Sequence, residues 1–158
     1  MNTGVAMDWT REGFEISTDP DRLDRESIHR FLETSYWSPQ IPRSIVDRSI
    51  ENSMPFGLYE KQTGRQVGFA RVITDRATFA YLADVYVLES HRHRGLALWL
   101  METILAHPEL QNMRRWTLFT RDAHALYRKV GFQDIEDPPR CMEIVDRGIY
   151  ARMKDGSH

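Results

Sequence analysis

The 158-residue sequence predicts one α/β domain on a mixed, mostly antiparallel sheet flanked by about four helices. Two observations carry this. Three strand-like apolar runs succeed one another between Pro55 and Glu89 with only short turns between them, which favours antiparallel neighbours. From Leu96 the apolar period changes from two to about 3.6, and another strand-like run follows, which points to a parallel strand–helix–strand crossover.

The elements follow in order. GFEISTD (13–19) alternates apolar and polar residues and reads as a strand. DPDRLDRESIHRFLETSYW reads as a helix with Asp19 or Asp21 as cap and Leu23, Ile28, Phe31 and Leu32 on its apolar face. Pro39 and Pro42 interrupt it, and RSIVDRSIENS forms a short second helix with Ile45, Val46, Ser49 and Ile50 on one side. PFGLYEK ends at Thr63-Gly64, QVGFARVITD at Asp75-Arg76, and FAYLADVYVLE runs into ESHRHRGLALWL. Leu96, Trp99, Leu100, Thr103 and Ile104 share a helix face that ends at Pro108. RWTLFT (115–120) is a strand, and DAHALYRKVGF (122–132) a short helix with Asp122 at its N-cap. Gly131 suits the left-handed position after that helix, and Phe132 the apolar contact that accompanies it. CMEIV is the clearest strand of the remainder, and ARMKDGSH a polar tail. The expected order is β-α-α-β-β-β-α-β-α-β, with residues 1–150 as a single domain and 151–158 as the tail.

Composition limits the function classes. Hydrophobic residues at 41% and charged residues at 28% describe a globular chain. Lys plus Arg number 21 against 23 Asp plus Glu, a net charge of −2, which argues against a protein that holds nucleic acid by charge. The single cysteine, Cys141, excludes an internal disulfide. No cationic stretch followed by an apolar core opens the chain, and no apolar run approaches the ~20 residues that span a bilayer. The expected compartment is the cytoplasm, without membrane attachment.

ESHRHRGLALWL (89–100) concentrates two histidines and two arginines before a glycine. A metal site would need ligands beyond His91 and His93, and His29, His107 and His124 are scattered. A nucleic-acid surface would need a broader basic face. A solvated turn with no specific task is a plain competitor. An anion loop has the most direct mechanics. A strand turns into a helix at Gly95, the first helical N–H groups lack internal partners, and the helix dipole makes that end positive. Glycine permits close approach of an anion, and Arg92 and Arg94 add charged donors.

A second motif joins the first. Arg92-x-x-Gly95-x-Ala97 resembles the R/Q-x-x-G-x-G/A signature of the GNAT superfamily of N-acetyltransferases. Ala123-x-x-Leu126-Tyr127-x-Lys129-x-Gly131-Phe132 is similar to that superfamily's later A-x-x-L-Y-x-K-x-G-F pattern. The spacing between them, one helix and one strand, agrees, and the resemblance extends over residues 13–145. It implies a single-domain GNAT-like fold in which two central parallel strands, LADVYVLE and RWTLFT, start paired and splay into a V. It implies that acetyl-CoA is the cosubstrate, with its pyrophosphate on the backbone of His93, Arg94, Gly95, Leu96 and Ala97. The backbone of Val85, Tyr86 and Val87 would pair with the pantetheine arm. No metal is implied, and the expected partners are acetyl-CoA and an amine acceptor, with the chain a monomer or homodimer.

The resemblance also implies a mechanism. Direct transfer to an amine, without an acyl-enzyme, needs a donor for the oxyanion and a proton for the leaving thiolate. Tyr127 is the expected proton donor, and Cys141 has no role. Asp84, on the central strand, is either a general base facing the acceptor or a structural carboxylate. Thr120 stands where many relatives have a pantetheine-contacting Asn, and its hydroxyl partly substitutes. His124, a helical turn before Tyr127, either touches CoA or lies on the surface. Tyr36 and Trp37 either wall the acceptor pocket or pack the end of the first helix. Arg71 either meets an acceptor carboxylate or is a solvated strand residue. A non-catalytic acyl-CoA sensor of the same fold is the competing function.

Overall fold

A computed structural model describes residues 4–156. Six strands form one sheet in sequence order: β1 (Asp8–Arg11), β2 (Phe14–Ser17), β3 (Met54–Glu60), β4 (Gln66–Thr74), β5 (Phe79–Val87) and β6 (Arg115–Thr117). All neighbours are antiparallel except β5 and β6, which pair in parallel. The helices are α1 (Arg25–Leu32), α2 (Arg43–Glu51), α3 (Leu96–Leu105), α4 (His124–Arg128) and α5 (Ile149–Lys154).

Each face of the sheet buries its own core. On one face, Ile28 and Leu32 of α1 and Val46 and Ile50 of α2 close over Phe69 and Tyr86. On the other, α3 packs Leu96, Leu100, Met101 and Ile104 against Phe56, Leu58, Val72 and Leu82. Helix α3 is apolar nearly throughout because its buried residues spread around much of its circumference. Each such side chain contributes roughly 1.5–3 kcal/mol when fully buried.

Several local expectations are revised. The first helix starts at Arg25 because Asp24 caps it, its carboxylate accepting from the Ser27 N–H at 3.0 Å; Asp19 instead caps a single 3-10 turn at Pro20–Arg22. Strand β1 lies outside the sequence-based order. Its turn, Glu12-Gly13, has positive φ at both residues (44° and 89°), the backbone of a tight hairpin. Strand β6 ends at Thr117 rather than Thr120. The expected CMEIV strand does not form: residues 141–145 lie in no strand, and Met142 and Ile144 are 96% and 105% exposed. A strand requires a ladder partner, and this segment pairs with none in the sheet. The ARMKDGSH segment is helical as far as Lys154, so the 150/151 boundary falls within α5.

Candidate active site

The parallel pair sets the site. Phe79, Ala80 and Tyr81 of β5 align with Arg115, Trp116 and Thr117 of β6, and the pairing stops there. Strand β5 continues to Val87, so its edge from Leu82 onward is without a strand neighbour on that side. This is the splay that the resemblance implied. A bulge shapes the same stretch of β5. Arg71 pairs with Ala83 and Phe69 with Tyr86, so three steps on β5 match two on β4. The extra residue falls at Asp84–Val85, and Asp84 has φ 56°, a left-handed backbone rare for a residue with a side chain.

Asp84 is held from two directions. Its Oδ2 accepts from Arg71 Nε at 2.7 Å, and its Oδ1 accepts from Trp37 Nε1 at 2.9 Å. The Asp84 and Arg71 side chains are only 7% and 15% exposed. Trp37 also packs against Phe31, which stacks on Tyr86 at 3.8 Å between ring centres. Trp37 therefore both packs the end of α1 and reaches the bulge. Its neighbour Tyr36 crosses the opening: its hydroxyl accepts from the Arg121 N–H at 3.0 Å, and the Arg121 guanidinium lies 3.9 Å from its ring centre. The α1–α2 loop is thus tied to β5 and to the loop after β6.

Tyr127 lies on α4, beyond the C-terminal end of β6, and is buried. Gly131 (φ 103°) ends the helix as expected, with the Phe132 N–H reaching the Tyr127 carbonyl at 3.1 Å and the two rings in edge contact at 5.8 Å. Burial, then the neighbouring Tyr36 and Asp122, push the Tyr127 phenol up to about 12, so it remains a proton donor at neutral pH. Its hydroxyl makes no hydrogen bond to any described residue and is not among the fully enclosed unpaired atoms. At the start of α4, Ala123 takes the N-cap place rather than Asp122. The Thr120 hydroxyl accepts from the Ala123 N–H at 3.0 Å, and His124 is exposed.

Beyond the C-terminal end of β5, Gly95 (φ 73°) opens α3 and no side chain caps it. The first N–H groups of α3, from Leu96 and Ala97 onward, therefore point outward without helical partners. A Cβ on Gly95 would meet nothing within 4 Å, so glycine serves the backbone turn and an open approach, not internal packing. His93, at φ 65°, shares the left-handed turn, and Arg94 is exposed. Arg92 holds the strand end, its Nε donating to the Val87 carbonyl at 3.1 Å.

His91 is not a residue of a solvated turn. It is buried, with Nδ1 2.7 Å from the Ser90 hydroxyl and Nε2 3.0 Å from a Glu60 carboxylate oxygen, and it meets the Phe14 ring edge-on. The bond from His91 holds the Glu60 carboxyl below its ordinary range. The loop is thus pinned to the end of β3. Among the described residues, no cluster of three or more His, Cys, Asp or Glu is arranged to hold a metal ion. No described helix is long and apolar enough to cross a membrane.

A parallel pair that splays, with an uncapped helix start after one strand and a buried tyrosine after the other, is the frame of an acyltransferase. Comparison with known proteins agrees. Residues 53–134 match the family model described as the acetyltransferase (GNAT) domain. A Gibberella zeae protein named for acetyltransferase activity is 30% identical over 159 aligned positions, covering 87% of this chain and 89% of that one. A crystal structure from Xanthomonas campestris pv. campestris, described as belonging to the GNAT family, is 45% identical with a TM-score of 0.85, covering 90% of this chain and 99% of that one. Glucosamine-6-phosphate N-acetyltransferase from Arabidopsis thaliana shares the fold alone, with a TM-score of 0.62 at 15% identity over 85% of this chain and 100% of that one. The chain belongs to the GNAT acetyltransferase family and is an acyltransferase.

Proposed function

We propose that this chain transfers an acetyl group from acetyl-CoA directly to a primary amine, with both substrates bound together. The observation that carries this reading is Tyr127: its side chain is buried and held protonated, while its hydroxyl is without a partner among the described residues and is not sealed in. A hydroxyl of this kind suits a leaving thiolate. The pyrophosphate of CoA rests on the N–H groups that open α3, with Arg94 nearby, and the pantetheine arm adds to the open edge of β5 along Val85, Tyr86 and Val87. Thr120 and His124 border the arm on the α4 side.

The amine nitrogen attacks the thioester carbonyl and forms the new C–N bond. A β5 N–H donates to the oxyanion. The C–S bond then breaks, and Tyr127 gives its proton to the CoA sulfur. The amine's proton passes to Asp84, directly or through water. Each Asp84 oxygen accepts one hydrogen bond in the structure, and a carboxylate oxygen has a second lone pair for this task. Tyr36, Trp37 and Arg71 line the acceptor side. The proposed enzyme is cytoplasmic, as monomer or homodimer.

The test is CoA release from acetyl-CoA with a panel of amines, with the acetylated product identified by mass. Amine-dependent release with stoichiometric N-acetyl product is expected. Tight acetyl-CoA binding with no turnover across a broad panel would instead mark a non-catalytic sensor.

A further inference from the structure

Arg71 and Asp84 form a charge pair that uses only part of each group. Arg71 commits Nε to Asp84, and its two terminal nitrogens make no hydrogen bond to any described residue. Its side chain is nevertheless mostly buried, and those nitrogens are not sealed in, because neither is among the fully enclosed unpaired atoms. The guanidinium is held through Nε, and its two Nη nitrogens are left to meet another partner. Asp84, 2.7 Å away, presents the opposite charge beside it.

The surroundings are apolar and open. Arg71 and Ile73 share one face of β4, as Phe79, Tyr81 and Ala83 share that face of β5, by strand alternation. Tyr81 pairs with Ile73 across the strands and meets Phe119 at 5.8 Å between ring centres. Ala83, directly opposite Arg71, extends no more than a methyl group over the sheet. Ile73, Phe79 and Phe119 are 42%, 41% and 77% exposed, although helices α1 and α2 cover the same face of the sheet farther along.

We infer that this is a zwitterion site, and that the acceptor is an α-amino acid with an apolar side chain. This deepens the acyl-transfer reading and rests on it. The substrate's carboxylate takes the two Nη donors of Arg71, a planar fork that matches a carboxylate. Its amino nitrogen lies over Asp84, which holds the ammonium until one proton is lost to bulk water and then takes the second proton released on attack, and which is also nearest the bulge where the thioester carbonyl would be fixed. The amine and carboxylate of an α-amino acid are separated by one carbon, and adjacent guanidinium and carboxylate groups match that short spacing. The apolar side chain extends over Tyr81, Ile73 and Phe119. Trp37, by its bond to Asp84, positions the carboxylate.

The test compares L-phenylalanine and L-leucine with L-phenylalanine methyl ester and phenethylamine in the CoA-release assay. Loss of a charge-assisted pair predicts that kcat/KM for the free acids exceeds that for ester and amine by about 10- to 100-fold. In Arg71→Gln this ratio should collapse to within about threefold, and Arg71→Lys should restore part of it, which general destabilisation would not do. Ester or amine acetylated as well as the acid by the unmodified enzyme would overturn the zwitterion site while leaving acyl transfer intact. So would turnover confined to polyamines or peptide N-termini. No CoA release with any amine would sink acyl transfer itself, and this inference with it.

Discussion

Replacing Tyr127 with phenylalanine separates its packing from its chemistry. The ring fills the core between α4 and the sheet and meets Phe132, and Tyr127→Phe keeps all of that. The hydroxyl donates to no described residue, so folding loses no internal hydrogen bond, and stability should change by about 1 kcal/mol or less. Acetyl-CoA affinity, which the proposed binding mode sets mainly at α3 and the β5 edge, should change by less than about threefold. Turnover should fall by ~10²–10⁴-fold, the usual contribution of a positioned general acid, or roughly 2.7–5.5 kcal/mol of barrier. The pH profile adds a second check. Burial disfavours the phenolate and pushes the phenol up to about 12, so it remains protonated through any ordinary assay range. In the unmodified enzyme, kcat/KM should therefore rise with pH as the acceptor amine loses its proton, with no decline before about pH 11. The measurements are steady-state kinetics at saturating concentrations of both substrates, titration calorimetry with acetyl-CoA, and urea denaturation. Turnover within twofold of the parent enzyme would refute the general-acid role. A decline of the parent enzyme's rate near pH 10, where an unburied phenol ionises, would refute the argument from burial.

Other substitutions probe separate parts of the molecule. Gly95→Asp should fold, since a Cβ there meets no protein atom and Asp tolerates a left-handed backbone at a cost of ~1 kcal/mol, yet CoA affinity should fall by ~100-fold or more from repulsion of the pyrophosphate. Full affinity by calorimetry would rule out the anion loop. His91→Ala removes contacts to Glu60 and Ser90 from a buried site, so urea denaturation should reveal a loss of about 1–3 kcal/mol, with a raised KM for acetyl-CoA. An unchanged midpoint would mean that His91 does not pin the loop. Tyr59 carries the one side-chain polar atom, among the described residues, that is fully enclosed without a partner. Tyr59→Phe should be neutral or stabilising by about 1–2 kcal/mol, because the hydroxyl bears a desolvation cost with no compensating bond. A clear drop in melting temperature would count against that account.

The legible part of this protein was what local sequence controls. The change of apolar period at Leu96, the glycine before it and the Leu126–Phe132 pattern located the crossover, the α3 start and Tyr127, and the structure has the helix end at Gly131 in the expected form. Local signals also misled. CMEIV has strand character in its side chains, but strand formation depends on a neighbour's backbone, which no local pattern reports. Strand β1 was missed because a polar edge strand has little alternation, although the Glu12-Gly13 turn was the available signal.

The proposed acceptor side was hidden for a different reason. Trp37, Arg71 and Asp84 lie on three elements and meet only because a bulge turns Asp84 toward Arg71 and the α1–α2 loop comes down on the sheet. Tyr36 and Arg121 are 85 residues apart in sequence and bonded in space. His91 looked like its neighbours in a cationic turn until the end of β3 supplied Glu60. The sequence by itself determined the class of chemistry through the resemblance of its two motifs to the GNAT signatures, and it placed the helix starts, glycine turns and apolar periods around them because these depend on near neighbours along the chain. Only the tertiary structure decided which side chains share a charge, which are sealed and which face the cleft, because burial and hydrogen bonding are properties of elements brought together from distant parts of the chain.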